Sequence, residues 1–199
     1  TFFYMISTSG LPIAVSILIS ESRTKGQHRQ IKKIFRTTVA LFFAIGLVGM
    51  LAMIFGADSF ASMLKASPTS ACIMAIAPTL FFICISSALR GYFQGFQQMV
   101  PTAVSELIEA LCKLAVGIVL ALYAIDQNYP IHIVAAYAAF GLTIGAGLGM
   151  IFLCISKLLF KETRYTAEFV EIAGVSDETT PTSKILARLV KVALPITIS

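Results

Sequence analysis

No charged residue interrupts residues 1–20, 37–56, 68–89 or 133–156 of this chain. A helix rises ~1.5 Å per residue, so about 20 such residues cross the ~30 Å hydrocarbon core of a bilayer. Four stretches of that length are too many for one soluble core to hide. Composition agrees: 57% of the 199 residues are hydrophobic and only 13% are charged, whereas soluble domains carry about 45–50% apolar residues even with glycine counted. Mean hydropathy is +0.87. A soluble globular domain, a disordered tail, a collagen-like chain and a secreted disulfide scaffold do not fit. The expectation is an all-α, polytopic transmembrane helix bundle.

Five spans are expected, at residues 1–20, 37–56, 68–89, 102–125 and 133–156, with a sixth starting near Leu189. Together they make a bundle over 1–156. Residues 157–183, mixed in charge and containing Pro181, read as a cytoplasmic linker. Residues 184–199 read as an interfacial helix, with Lys184, Arg188 and Lys191 at helical spacing, leading into the next span at Pro195. The chain starts at Thr1 inside an apolar run and ends at Ser199 inside another. It is therefore expected to be part of a longer membrane protein, cut just after the first lobe of a two-lobe transporter.

Lys and Arg fix the expected orientation. Thirteen of the fifteen fall on one side of the five spans: Arg23 to Arg36 in the first connection, Arg90 in the third, and Lys157 to Lys191 in the tail. Lys65 is alone on the other side, and Lys113 lies within a span. The basic side is expected to face the cytoplasm, against anionic lipid headgroups. That placement accounts for the net charge of +5 without a nucleic-acid partner. The four cysteines, Cys72, Cys84, Cys112 and Cys154, lie in apolar runs and read as small packing residues.

The fourth span is the only one that carries charge. At 100° per residue Glu106, Glu109 and Lys113 fall within about 60° of each other. Leu107, Leu111, Leu114, Ile118 and Leu122 form the opposite, lipid-compatible face. Charges at that depth cost several kcal/mol unless paired or hydrated. Glu109 and Lys113 are an i, i+4 pair in the favourable order. Two readings stay open: an ion pair that locks the helix to a neighbour, or a substrate or ion pathway.

The first span has a milder stripe, with Ser9, Ser16, Ser20 and Arg23 on one face. It reads as packing or as cavity lining. Pro12 and Pro78 are expected to kink their helices. The third connection, residues 90–101, holds Arg90, Gln94 and several aromatics. The aromatics read as interfacial anchors with Arg90 on lipid headgroups; alternatively, Arg90 and the glutamines meet a phosphate-sugar headgroup. Gly141, Gly145 and Gly149 permit close helix approach. No enzyme motif, metal cluster or nucleotide loop is legible, and no cofactor is expected. Transport would be driven by Na⁺ or H⁺, by membrane potential or by the substrate gradient.

Two motifs carry a family resemblance. Gly10, Leu11, Pro12, Ile13, Ala14, Val15 and Ser16, with Glu21 after them, resemble the second helix of the multidrug/oligosaccharidyl-lipid/polysaccharide (MOP) exporter superfamily. Arg90, Gly91, Tyr92, Phe93, Gln94 and Gly95, followed by Met99 to Ser105 and Glu109, resemble the third-to-fourth helix junction of its stage V sporulation protein B branch. That branch includes lipid II flippases related to MurJ. The resemblance implies 12 to 14 helices in two pseudosymmetric bundles, with this chain as helices two to six and the start of seven. It implies a flippase for a lipid-linked oligosaccharide, namely the peptidoglycan precursor, in the bacterial cytoplasmic membrane. Lys113 or Arg90 would attract its pyrophosphate, and the hydroxyl stripe would meet sugar. A cation-coupled multidrug antiporter and a non-transporting membrane scaffold are the alternatives.

Overall fold

The computed structural model describes residues 2–25, 27–63, 70–160 and 185; for residues 2–11, 28, 58–63 and 70 it describes the backbone only. Five helices follow one another: α1 (Phe2–Thr24), α2 (His28–Met63), α3 (Ser70–Gly95), α4 (Val100–Asp126) and α5 (Ile131–Leu159). No strand occurs among the described residues. Among the described residues, four helical stretches are long and apolar enough to cross a membrane: Arg29–Ala57, Ala71–Gly95, Val100–Asp126 and Ile131–Leu159. The first expected span falls on α1, much of which is described by backbone alone. The expected linker at 157–183 and the interfacial segment at 184–199 lie almost wholly outside the described residues.

The apolar surface is turned outward, as lipid requires. Leu107, Leu111, Leu114 and Leu122 on α4 are each 58–64% exposed. In water such a face would drive aggregation. The protein is a multi-pass membrane protein.

The chain divides into two compact units. The first comprises residues 1–42, 87–102 and 153–199. Its core is aromatic and aliphatic: Val15, Ile19, Ile31, Ile34, Tyr92, Phe93, Phe96 and Leu153 are buried. The Tyr92 ring meets Phe35 at 4.8 Å and Phe96 at 4.9 Å, and Phe160 packs edge-on against Phe96 at 5.4 Å. The Phe35–Tyr92 and Phe96–Phe160 pairs are edge-to-face, a geometry that adds about 0.5–1.5 kcal/mol each beyond area burial. The Lys157 ammonium lies over two of these rings, 3.3 Å from the Tyr92 centroid and 3.8 Å from that of Phe35.

Two expectations are corrected here. The aromatics of residues 90–101 are core residues, not interfacial anchors, because α3 continues through Gly95. Gly91 and Gly95 let it do so against α1. A Cβ on Gly91 would stand 2.7 Å from the Pro12 carbonyl oxygen, and one on Gly95 2.7 Å from Ile19 Cβ. With α1 that close, Tyr92 and Phe93 have no exposed surface left. The basic connection is also mostly helix, since α2 begins at His28 rather than at Thr37. Ile31 and Ile34 are buried on one face while Arg29, Lys32 and Arg36 are exposed on the other. This amphipathic pattern supports helix as well as an apolar run does.

The second unit comprises residues 43–86 and 103–152. Gly46 lies against Phe81 and Cys84, and Gly49 against Leu80. Between α3 and α5, the Thr143 hydroxyl donates to the Ala75 carbonyl at 2.6 Å, and Thr79 and Thr143 share a hydroxyl hydrogen bond of 2.6 Å. Pro78 lies inside α3 beside them and denies the Met74 carbonyl its helical donor. Threonine hydroxyls from a neighbouring helix are a usual means of satisfying backbone near such a proline.

Candidate functional site

Lys113 is the central residue of the 27-residue α4, about 20 Å from either end at helical rise. Its Nζ lies 2.6 Å from Glu109 Oε1. The Glu109 side chain is 11% exposed and that of Lys113 31%. The Glu109 side chain is thus nearly enclosed, and that of Lys113 is partly exposed. Pairing offsets the roughly 2.5–3.5 kcal/mol that each isolated charge would cost at the middle of a spanning helix.

The enclosing wall is α5. Gly141, Gly145 and Gly149 recur every four residues and turn one bare stripe toward α4. A Cβ on Gly149 would stand 3.2 Å from Glu109 Cβ, one on Gly145 2.9 Å from both the Glu109 carbonyl oxygen and the Lys113 nitrogen, and one on Gly141 2.5 Å from Gly117 Cα. A side chain at Gly141 or Gly145 would force α4 away, and one at Gly149 would press on Glu109. The seam therefore holds the ion pair against backbone, which gives the carboxylate a fixed position.

The grouping expected on α4 divides at this seam. Glu109 is buried against it, whereas Glu106, one turn earlier, is exposed. Sixty degrees of helical rotation separates the two, enough to put them on either side of the contact. Ser105 is fully buried beside Glu109, and its carbonyl oxygen lies 3.3 Å from the Gly149 Cβ position. Among the described residues no group of His, Cys, Asp and Glu is arranged to hold a metal ion.

The other expected site residues belong to the first unit. Arg90 and Gln94 are half-buried on successive turns of α3. Ser16 is half-buried on α1, its carbonyl oxygen 3.1 Å from the Gly95 Cβ position. Arg23 donates from Nη1 to the Phe96 carbonyl at 3.0 Å, with its guanidinium 5.8 Å from the Phe96 ring centre. It thus caps the carbonyl end of α3, where a cation is favoured. Ser9 lies in the part of α1 described by backbone alone.

Three features were not expected from the sequence. Lys157 clasps Tyr92 and Phe35, Thr79 pairs with Thr143, and the basic residues opening α2 form a helical face. Only the last had a legible signal, the 29, 32, 33, 36 spacing.

A family model described as "Polysaccharide biosynthesis protein" matches residues 1–199. Three proteins of Bacillus subtilis (strain 168) are similar, each 29% identical. Stage V sporulation protein B aligns over 99% of this chain and 37% of its own length. Lipid II flippase MurJ aligns over 78% of this chain and 30% of its own. An uncharacterized membrane protein, YabM, aligns over 75% of this chain and 27% of its own. The chain thus spans about a third of the length of these relatives. No solved structure matches it significantly.

Proposed function

Because the chain belongs to the polysaccharide biosynthesis protein family, we propose that the full-length protein is a flippase or exporter of a lipid-linked saccharide. Its substrate is the peptidoglycan precursor lipid II. The membrane is the bacterial cytoplasmic membrane, with the basic connections on the cytoplasmic side, and two lobes alternate access to a polar cavity. No step of this reading breaks or makes a covalent bond, so the protein is a transporter and not an enzyme.

The single observation that supports it is the Glu109–Lys113 pair at the midpoint of α4. A charged pair at mid-helix is expensive in lipid and marks a pathway by default. The Lys113 side chain, a third exposed, carries the ammonium that would attract the pyrophosphate, with Arg90 and Gln94 meeting the headgroup as it enters. Glu109 holds Lys113 in place, and Glu106 couples to a cation.

The experiment is translocation of fluorescent lipid II by the reconstituted full-length protein. Lys113→Gln and Glu109→Gln should each slow it at least tenfold with the protein still inserted. Wild-type rates in both would refute the assignment. Glu106, an exposed residue of α4, also suits a cation-coupled multidrug antiporter, the second reading. Drug resistance conferred by the protein, lost in Glu106→Gln, together with no lipid II movement, would select it.

A further inference from the structure

The opening two turns of α2 carry a second cationic feature, which the transport reading does not use. Arg29, Lys32, Lys33 and Arg36 stand at i, i+3, i+4 and i+7, one face of a helix, spread over ~10 Å of its axis. With Thr37 they line an open cleft of about 390 Å³. A water molecule in the liquid takes up ~30 Å³, so a phosphate-bearing headgroup has room there. The opposite face of the same turns is packed: Gln30, Ile31, Ile34 and Thr38 are all buried. Packing therefore points the cations outward. The uncharged apolar run of α2 begins at Thr37, directly after Arg36, so the stripe stands where the helix enters the bilayer. No acidic residue occurs between Glu21 and Asp58.

We propose that this face of α2 is a docking site for the phosphate headgroup of an anionic phospholipid of the surrounding bilayer. Arg29 and Arg36 present planar forks to phosphate oxygens, Lys32 and Lys33 add point charge, and Thr37 offers a hydroxyl. A saccharide-bearing substrate is the less fitting occupant. The described lining holds no aromatic platform, amide or carboxylate with which to recognise sugar. The site is independent of the transport reading, because binding rather than translocation reports on it.

The test uses the full-length protein in a neutral detergent. Its melting midpoint is followed while phosphatidylglycerol, phosphatidylcholine or sodium pyrophosphate is added. Phosphatidylglycerol should raise the midpoint, and the other two should not at matched concentration. A surface cation contributes about fivefold to binding an anionic headgroup. Half-saturation by phosphatidylglycerol should therefore weaken about 600-fold in R29Q/K32Q/K33Q/R36Q and about 25-fold in K32Q/K33Q, which keeps the test open if the quadruple variant does not fold. R29K/R36K should retain most of the effect. So should K25Q, whose lysine is paired with Glu21 at 2.8 Å. About 0.5 M NaCl should weaken the wild type far more than the variants. Unchanged half-saturation in K32Q/K33Q would overturn the proposal. So would pyrophosphate acting as strongly as phosphatidylglycerol, which would make this a site for the substrate's diphosphate.

Discussion

Gly145 of α5 faces Lys113 of α4 so closely that a Cβ at position 145 would stand 2.5 Å from Lys113 Cγ. The lysine that distinguishes this helix is therefore seated on the barest point of its neighbour. Gly145→Ala must move either the lysine stem or the α4 backbone, since the Glu109 carbonyl oxygen is also only 2.9 Å away. Overpacking of this kind costs about 1–3 kcal/mol. A melting midpoint lowered by several degrees, with slowed translocation, is expected. Gly147→Ala is the control, because its nearest neighbour is a Phe82 ring carbon at 3.6 Å, and it should change little.

The Glu109–Lys113 pair should behave as a coupled unit. Lys113→Met takes the ammonium away from a nearly enclosed Glu109 side chain. Full burial would make that cost about 3–5 kcal/mol, and partial exposure of the pair brings it to about 1–3 kcal/mol. Glu109→Gln/Lys113→Met removes both charges and should recover most of the stability while leaving translocation low. Recovery of transport along with stability would mean that the pair acts only as a helix lock.

Lys157 should contribute through its charge and not through its stem. Lys157→Met keeps the apolar length but loses the contacts over Tyr92 and Phe35 at 3.3 and 3.8 Å. A desolvated cation–π contact is worth about 2 kcal/mol. Urea or thermal unfolding of the full-length protein should show a loss of that order in Lys157→Met and much less in Lys157→Arg. Equal losses in the two would place the effect in packing.

Gln97 ends α3 in a left-handed conformation, φ 59°, and Gln98 N–H bonds back to the Phe93 carbonyl at 2.9 Å. This is the helix-ending position that favours glycine. Gln97→Gly should stabilise by about 1 kcal/mol, the left-handed penalty removed less the added chain entropy. Asn128 occupies the matching position after α4 with φ 54°, and asparagine already tolerates it, so Asn128→Gly should gain little. A lowered midpoint in Gln97→Gly would contradict this account of the turn.

Much of this arrangement is legible in the residues, and the part that is not has a physical cause. Uncharged runs of about 20 residues mark spans because lipid leaves the backbone no other partner. The outward leucines of α4 follow from period alone. An aromatic at a span end, such as Tyr92 or Phe93, has two uses, headgroup anchor or core. Only the approach of α1 to Gly91 and Gly95 decides between them. Glu106 and Glu109 were grouped because periodicity places residues on a helix but does not say where its neighbour touches. The Lys157 clasp joins α5 to rings of α2 and α3, and no local pattern encodes a contact between residues so far apart in the chain.

The central claim is that the charged edge of α4 lines a hydrated route in the full-length protein. Its most direct test is thiol labelling of Lys113→Cys in a cysteine-free background, with a membrane-impermeant methanethiosulfonate reagent. The account predicts rapid modification that bound lipid II slows. A residue as unreactive as Leu111→Cys on the lipid-compatible face, with or without lipid II, would contradict it.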